Sequence, residues 1–280
     1  MQTFKRITSI VSLILFVTIV LTSHISVAKF NLQATTSVEY LDVGQGDSTL
    51  IRSGDTTILI DTGGNRSTLD HLEERGVNDL DLLILTHAHA DHIMNADVIV
   101  NEMSPDEVWM SETEATSQVY ERLLDALIET NISVEYPEVG DSYSVGPLDF
   151  TIAHPSNLTG DLNNDSLSFR MIVENTSFLF TGDAEERAEN MMLEAGVNLQ
   201  SDIYHMGHHG SSTSSSSAFM SAVLPEIAIY SAGVDNSYGH PHPEAIESVQ
   251  SVGAQVYGTA EDGTVTVNVT NTGYTVQTER

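Results

Sequence analysis

Three histidines and an aspartate lie within six residues, directly after an apolar run. The run is 81–85, and the cluster that follows reads His-Ala-His-Ala-Asp-His at positions 87–92. Imidazoles and a carboxylate are costly to crowd together unless a cation neutralises the carboxylate and occupies the nitrogen lone pairs. The cluster therefore predicts a metal site at the end of a strand. Because the chain contains no cysteine, its ligand types favour zinc, manganese or iron over a thiolate-rich structural site.

Three other segments repeat the design of an apolar run that ends in polar residues. They are Thr57–Gly64, which carries Asp61, Ser177–Asp183, and Tyr204–Gly210, which carries two adjacent histidines. Strand ends that carry ligands can converge on one edge of a sheet, where loops supply the chemistry and the scaffold supplies rigidity. A lone His-x-His pair would fit a decorated surface turn equally well, but the recurrence of the pattern favours a site built for hydrolysis.

Six short motifs resemble those of the metallo-β-lactamase superfamily, and more narrowly those of the soluble hydrolase domain of ComEC-like DNA-uptake proteins. The resemblance spans about 37–278. Its motifs are LDVGQGDS (41–48), LIDTGG (59–64), THAHADH (86–92), FTGD (180–183), GHHGS (207–211) and YGHPHPE (238–244). The resemblance implies an α/β fold, the αββα sandwich, in which two central mixed sheets are flanked by helices.

The resemblance also implies two divalent metal ions, which we expect to be Zn or Mn, and a shared water that they activate. One ion would be held by His87, His89 and Asp183. The other would be held by Asp91, His92, the bridging Asp183 and one of the adjacent pair His208 and His209. We favour His209 as the ligand, since neighbouring residues rarely both reach one ion.

Further residues receive roles around these ions. Asp61 is expected to hydrogen-bond a ligand imidazole rather than bind an ion. The candidate catalytic residues are Asp91, His208, His240 and His242. His208 would either support a metal ligand from behind or face the substrate, and His240 and His242 would hydrogen-bond phosphate or protonate the leaving oxygen. A purely structural role for one of the last two histidines is the alternative.

One position departs from the superfamily pattern. Many members carry a metal-binding histidine shortly before the Thr-Gly-Asp strand, but this chain has Asn-Asn-Asp-Ser-Leu at 163–167. ComEC-like proteins share that version. The nearest candidate, His154, precedes a proline, and we expect it to be a loop residue. The gap predicts an underfilled first metal position that is open to water or to a substrate oxygen.

The charge balance is strongly acidic. The chain has 40 Asp and Glu against 10 Lys and Arg, a net charge of −30. Self-repulsion of that size destabilises a compact domain in dilute buffer, whereas at about 1 M salt the Debye length shrinks to roughly 3 Å. We infer adaptation to high salt, with an ordinary acidic protein as the alternative. A basic nucleic-acid groove of the usual kind is excluded.

The N-terminal segment has the form of an export signal. Lys5 and Arg6 precede an apolar stretch at 7–21, and Ser26 and Ala28 supply small residues for cleavage after Ala28. We therefore predict a signal peptide at 1–28 and one hydrolase domain at 29–280, located outside the cell or on the outer face of its envelope. An uncleaved anchor is the alternative, and only then would the protein contact a membrane.

Alternating patterns predict strands and helices throughout the remaining chain. The predicted strands are 37–42, 48–52, 57–60, 82–86, 148–153, 166–173, 178–181, 203–205 and 227–231, with β structure closing the chain. The predicted helices are 94–101, 118–129, 184–195, 214–223 and 243–252.

These features favour an exported, metal-dependent phosphodiesterase, foremost a nuclease that hydrolyses extracellular DNA. A second enzyme class, hydrolysis of small phosphodiesters such as phosphorylcholine-type headgroups, or of lactams or lactones, stays open. A different class is a non-catalytic accessory protein of DNA uptake, which the intact ligand set disfavours. The expected partner is DNA or a small phosphodiester, and no protein partner is predicted.

Overall fold

The computed structural model describes residues 36–280, and these residues form two mixed β-sheets packed face to face. The first sheet contains β1 (Thr36–Tyr40), β2 (Thr49–Ser53), β3 (Thr56–Ile60), β4 (Leu82–Leu85), β5 (Glu107–Met110), β6 (Ser133–Glu135), β14 (Val265–Thr270) and β15 (Gly273–Thr278). The second contains β7 (Ser142–Val145), β8 (Leu148–His154), β9 (Ser168–Val173), β10 (Thr176–Phe180), β11 (Ile203–His205), β12 (Ile227–Tyr230) and β13 (Gln255–Gly258).

Helices cover the outer faces of both sheets. They are α1 (Ser67–Glu74), α2 (Ala90–Ile93), α3 (Ala96–Met103), α4 (Gln118–Thr130), α5 (Glu186–Ala195), α6 (Ser217–Val223), α7 (Pro243–Ser251) and α8 (Thr259–Asp262). The strand order is β15-β14-β1-β2-β3-β4-β5-β6 in the first sheet and β13-β12-β11-β10-β9-β8-β7 in the second. Parallel and antiparallel pairs occur in each. The predicted αββα sandwich is confirmed.

Alternation along the strands builds the three apolar layers of this sandwich. In β10, Phe178 and Phe180 join the core between the sheets, whereas Leu179 faces the helices of the second sheet. In β4, Ile84 enters the central core, and Leu85 packs under the helices of the first sheet. Successive side chains of a strand point to opposite faces, so a strand buried on both faces must be apolar throughout.

The parallel strands β3, β4, β10 and β11 end at the same edge of the sandwich, where their polar residues lie. Asp61 follows β3, His87 follows β4, Asp183 follows β10, and the histidine pair at 208–209 follows β11. The edge predicted from the sequence is therefore the edge at which the candidate ligands gather.

Several predicted boundaries shift for local reasons. The helix predicted at 214–223 begins at Ser217, because the side chain of Ser216 accepts a hydrogen bond from the Phe219 amide and caps the helix there. The helix predicted at 94–101 becomes α3, preceded by the short α2. The helix α1 and the strands β5, β6 and β7 were not predicted.

His154 is a correction. The prediction of a loop residue is wrong, because His154 is the last residue of β8 and is fully buried. Its Nε2 lies 2.8 Å from the carbonyl oxygen of Asn164. The imidazole thus holds the Asn-rich segment at 163–167 in place.

The signal peptide predicted at 1–28 lies outside the described residues and stays a prediction. Among residues 36–280, no helix combines the length and apolar character needed to cross a membrane.

Candidate metal centre

The candidate ligands are brought together by backbone segments with positive φ angles, which residues other than glycine seldom adopt. Gly182 has φ +51°, and a Cβ at this position would lie 2.8 Å from the Cβ of Thr86. Glycine therefore allows the end of β10, which carries Asp183, to approach the end of β4. His208 and His209 also have positive φ values, 52° and 57°. Left-handed backbone at two consecutive non-glycine residues is strained and is typical of functional sites.

Four side chains surround the position expected for the second ion. His92 Nε2 lies 3.2 Å and His209 Nε2 lies 3.7 Å from Asp183 Oδ1. Asp91 Oδ2 lies 3.3 Å from the same nitrogen of His209. The structure thus places His209, rather than its neighbour His208, in this group.

Three of these facing atoms are buried and have no hydrogen-bond partner: His92 Nε2, Asp183 Oδ1 and His209 Nε2. Buried polar atoms almost always have a hydrogen-bond partner. A cluster of buried atoms without partners therefore indicates a binding site for a ligand. Two imidazole nitrogens and carboxylate oxygens form a donor set that suits a divalent transition ion. The residues present therefore fit a metal ion.

A second group faces the other oxygen of Asp183. His87 Nε2 lies 3.6 Å from Asp183 Oδ2 and 2.9 Å from His89 Nδ1. These three residues offer ligand atoms close enough to share one ion. His208 approaches the same oxygen, with its Nε2 at 3.8 Å, and the side chain is 22% exposed. His208 therefore stands at the open side of the first metal position.

Asp61 fixes one of the histidines of the second position. Its Oδ2 lies 2.8 Å from His92 Nδ1, and it accepts hydrogen bonds from the amide and hydroxyl of Thr86. Because Nδ1 is engaged by the carboxylate, Nε2 is directed at Asp183. Asp61 is thus located where an orienting acid must be.

Asp47 does the same for His209, and the sequence assigned it no role. Its Oδ1 lies 3.0 Å from His209 Nδ1, which also lies 3.0 Å from the carbonyl oxygen of Ser231. Asp47 belongs to a buried group that could hold an ion with His92, Asp183 and His209. We assign it to orientation instead, because it faces the ring nitrogen that points away from Asp183. The only sequence signal was its place in the LDVGQGDS motif.

Electrostatic coupling within this group is strong. Burial acts to lower the pKa of His92, but the carboxylates of Asp183 and Asp61 outweigh it and raise that pKa well above its usual value. His209 behaves alike: burial opposes the shift, and Asp183 and Asp47 raise its pKa. Burial would raise the pKa of Asp183, yet the surrounding histidines hold it well below the usual value. The carboxylates and imidazoles of this group therefore stabilise one another's charged forms.

A cavity of about 280 Å³ opens above the two groups. His89, Asp91, Asp183, His208 and His209 lie at its base, and Gln45, Asn163, Tyr238 and His240 also line it. The pKa of His240 is lowered to about 4 by burial and by the neighbouring His209 and His208.

The structure does not bring His242 into the cavity. Its Nδ1 accepts a hydrogen bond from the Ser212 amide at 3.0 Å, and its Nε2 lies 3.2 Å from the carbonyl oxygen of Tyr238. Both ring nitrogens are engaged in holding loops. The location of His242 therefore fits the structural alternative and not the predicted contact with phosphate, whereas His240 remains at the cavity.

The geometry agrees with the comparison to protein families. The model of the metallo-β-lactamase superfamily matches residues 41–234, so the chain belongs to this superfamily. Two curated relatives resemble it along most of its length. ComE operon protein 3 of Bacillus subtilis is 30% identical over 250 residues, 81% of this chain and 32% of the relative. Recombination protein 2 of Haemophilus influenzae is 32% identical over 244 residues, 84% of this chain and 29% of the relative.

The chain thus spans about a third of the length of the curated relatives it matches. These relatives confirm the resemblance to ComEC-like proteins. Solved structures share the fold at low identity. YhfI of Bacillus subtilis, a metallo-β-lactamase fold protein, gives a TM-score of 0.56 at 13% identity, over 84% of this chain and 100% of that one. The metallo hydrolase Igni18 of Ignicoccus hospitalis gives 0.56 at 17% identity, over 82% of this chain and 98% of that one.

Proposed function

We propose that the protein is an exported, metal-dependent phosphodiesterase, foremost a nuclease that hydrolyses extracellular DNA. The observation that carries the proposal is the set of buried, unpartnered atoms of His92, Asp183 and His209 at the base of an open cavity. Such a set suits a hydrolytic metal centre rather than a structural one, since the cavity keeps the ligand positions accessible. Export is supported by the N-terminal sequence alone.

Two groups of residues would hold two divalent ions, Zn or Mn, with Asp183 between them. His87, His89 and Asp183 would hold one, and Asp91, His92, Asp183 and His209 the other. When bound, such a pair supplies an activated water and charge stabilisation for attack on a phosphoryl group.

The chain's own residues contribute orientation and proton handling. Asp61 and Asp47 keep two imidazoles turned toward Asp183, which cuts the reorganisation needed during the reaction. His240 lines the cavity and has a buried Nδ1 without a hydrogen-bond partner. Since its lowered pKa keeps the ring neutral at pH 7, His240 can hydrogen-bond a phosphate oxygen through the N–H of its neutral ring.

Arg52, Arg66 and Arg170 would be candidates for phosphate contact, but each already has a partner, and no arginine or lysine lines the cavity. Arg52 pairs with Glu39 at 2.5 Å, and Arg66 pairs with Asp70 at 3.3 Å. Arg170 donates to the carbonyl oxygen of Gln200 at 2.7 Å, at a separate cavity. The chain therefore has to bind DNA without a row of basic residues along the phosphate backbone. Binding would then be limited to contacts at the cavity, and high salt would screen the repulsion between the acidic protein and DNA.

The lack of basic residues at the cavity also supports small phosphodiesters as the second candidate substrate. A cavity of about 280 Å³ with no arginine or lysine in its lining has room for one phosphodiester unit. Hydrolysis of a small ester would need no contact with a long backbone.

The test uses residues 29–280 in molar NaCl with Mn or Zn, offered plasmid DNA, single-stranded DNA, bis-p-nitrophenyl phosphate and nitrocefin. Cleavage of DNA and the phosphate diester is expected, with loss of turnover in Asp183→Asn. The matched control is Asp202→Asn. Asp202 accepts hydrogen bonds from the amide and hydroxyl of Ser177, at the end of the strands opposite the candidate metal centre. Turnover of nitrocefin alone would reject the proposal.

A further inference from the structure

We propose that Tyr238 is a stacking platform for a nucleobase, so that the site takes phosphodiesters that carry a planar base next to the scissile phosphate. The inference rests on the proposed phosphodiesterase function and names its substrate class. Tyr238 lines the same cavity as Asp183 and His209, yet its side chain is 63% exposed. Exposure alone is ordinary for a tyrosine, but here the exposed ring lies in the lining of the cavity above the candidate metal ligands.

The ring of Tyr238 is already stacked on one side. Its centroid lies 5.6 Å from that of His240, with an interplanar angle of 20°. His240 thus covers part of one face of Tyr238, and the opposite face is the one left for a ligand ring to stack on. A base that stacks there would extend a row of rings that begins at His240, the residue proposed above to hydrogen-bond the phosphate.

The loop that carries Tyr238 is held in place by one asparagine. Asn236 Oδ1 accepts hydrogen bonds from the amides of Tyr238 and His240, at 3.1 and 3.0 Å. Its Nδ2 donates to the carbonyl oxygens of Gly233 and His240, at 3.0 and 2.6 Å. The side chain therefore spends its whole hydrogen-bonding capacity on this loop. A platform fixed in advance loses little conformational entropy when a ligand binds.

A base suits this surface better than a quaternary ammonium group does. Recognition of choline-type cations uses cages of several aromatic rings. Among the described residues, the other exposed large hydrophobic side chains lie outside the lining of this cavity: Ile128, Tyr136, Leu158, Leu224 and Val234. A single flat ring matches a planar base, and stacking tolerates every base because each has a π-face.

Stacking would also supply affinity for nucleic acid that does not depend on positive charge. A net charge of −30 repels a polyanion, and molar salt removes most of the gain from ion pairs. Stacking between two rings depends little on the net charge of the protein or on the salt concentration. Affinity for nucleic acid would therefore come from the metal centre at the phosphate and from Tyr238 at the base.

The kinetic test compares two esters that share a leaving group, methyl p-nitrophenyl phosphate and thymidine 5′-(p-nitrophenyl phosphate). For Tyr238→Leu, the ratio of kcat/KM for the thymidine ester to that for the methyl ester is expected to fall about tenfold, mainly through KM. Tyr238→Phe keeps the ring and should keep the ratio within about twofold. The control Val234→Ala removes another exposed side chain of the same loop and should leave the ratio unchanged. An unchanged ratio in Tyr238→Leu overturns the proposal.

Binding provides a readout that needs no turnover. In calorimetry with unlabelled phosphorothioate tetrathymidylate, Tyr238→Leu should weaken binding about tenfold, and Val234→Ala should not. If the wild type cleaves neither ester, the proposed function fails, whereas calorimetry still decides whether Tyr238 stacks on a base. Tyr238-dependent binding of phosphorylcholine but not of tetrathymidylate would assign the ring to a cation and overturn the inference.

Discussion

Replacing Asp47 with Asn tests whether metal binding depends on a residue outside the His-Ala-His-Ala-Asp-His segment at 87–92. The carboxylate fixes His209 through a 3.0 Å contact with Nδ1, so its loss lets the ring rotate away from Asp183. Removing such an outer partner typically costs 10- to 100-fold in metal affinity. Because the Ser231 carbonyl accepts from the same nitrogen, also at 3.0 Å, part of the orientation survives. We therefore expect a loss near the lower end, about tenfold or about 1.4 kcal/mol.

Asp61→Asn is the matched comparison. Asp61 contacts His92 Nδ1 at 2.8 Å, and the other neighbour of that nitrogen, the Thr86 hydroxyl, lies 3.4 Å away. Since no carbonyl replaces it, the loss should lie nearer to 100-fold. Asp202→Asn serves as the control with unchanged affinity.

The assay is competition for zinc with a chromophoric chelator, on protein whose fold is verified by circular dichroism. An Asp47→Asn variant that binds zinc as tightly as the wild type, while Asp61→Asn is weakened, would refute the assignment of Asp47.

Three further predictions concern the ions, the pH and the salt. Asp183→Asn should lower the bound metal from two ions per chain to one or none by elemental analysis, because both groups share Asp183; retention of two ions would contradict the bridging role. Burial acts to raise the pKa of Glu39, but Arg75 and Arg52 outweigh it and lower that pKa below 4.5. The stabilisation is therefore present above pH 4.5 and is lost as the pH falls through the folded value. Glu39→Gln should cost about 1 kcal/mol of unfolding free energy at pH 7, allowing for the exposure of Arg52, and less in acid, as denaturant titrations at both pH values would show; an equal cost at both would exclude the ion pairs as its cause. The melting temperature should rise between 0.1 M and about 2 M NaCl, because screening relieves self-repulsion, and a flat salt profile in scanning calorimetry would remove the argument for halophilic adaptation.

Residues whose roles follow from local pattern were predictable from the sequence. The apolar runs located β3, β4, β10 and β11, and the polar residues that follow them marked the edge at which Asp61, His87 and Asp183 meet. The unbroken apolar run of Phe178, Leu179 and Phe180 indicates that β10 is buried on both faces. These inferences need only the geometry of a strand and the cost of burying charge.

Roles that depend on how the two sheets pack were not predictable. Asp47 and His209 are 162 positions apart, and nothing in either segment indicates that they touch. The proline after His154 led to the prediction of a loop, yet β8 continues to this histidine. The proposed role of His242 depended on the direction of its ring, which is determined by a hydrogen bond from the Ser212 amide to Nδ1 and by the contact of Nε2 with the carbonyl oxygen of Tyr238.

The centre draws its side chains from both halves of the sandwich. His87, Asp91 and His92 follow a strand of the first sheet, whereas Asp183 and His209 follow strands of the second. Metal ions held by these residues would cross-link the two sheets, in a chain that has no cysteine for a disulfide. Any ligand that prefers the folded chain deepens the native energy well. Metal binding would thus couple the stability of the sandwich to the concentration of free metal, and the metal-free chain would be easier to unfold.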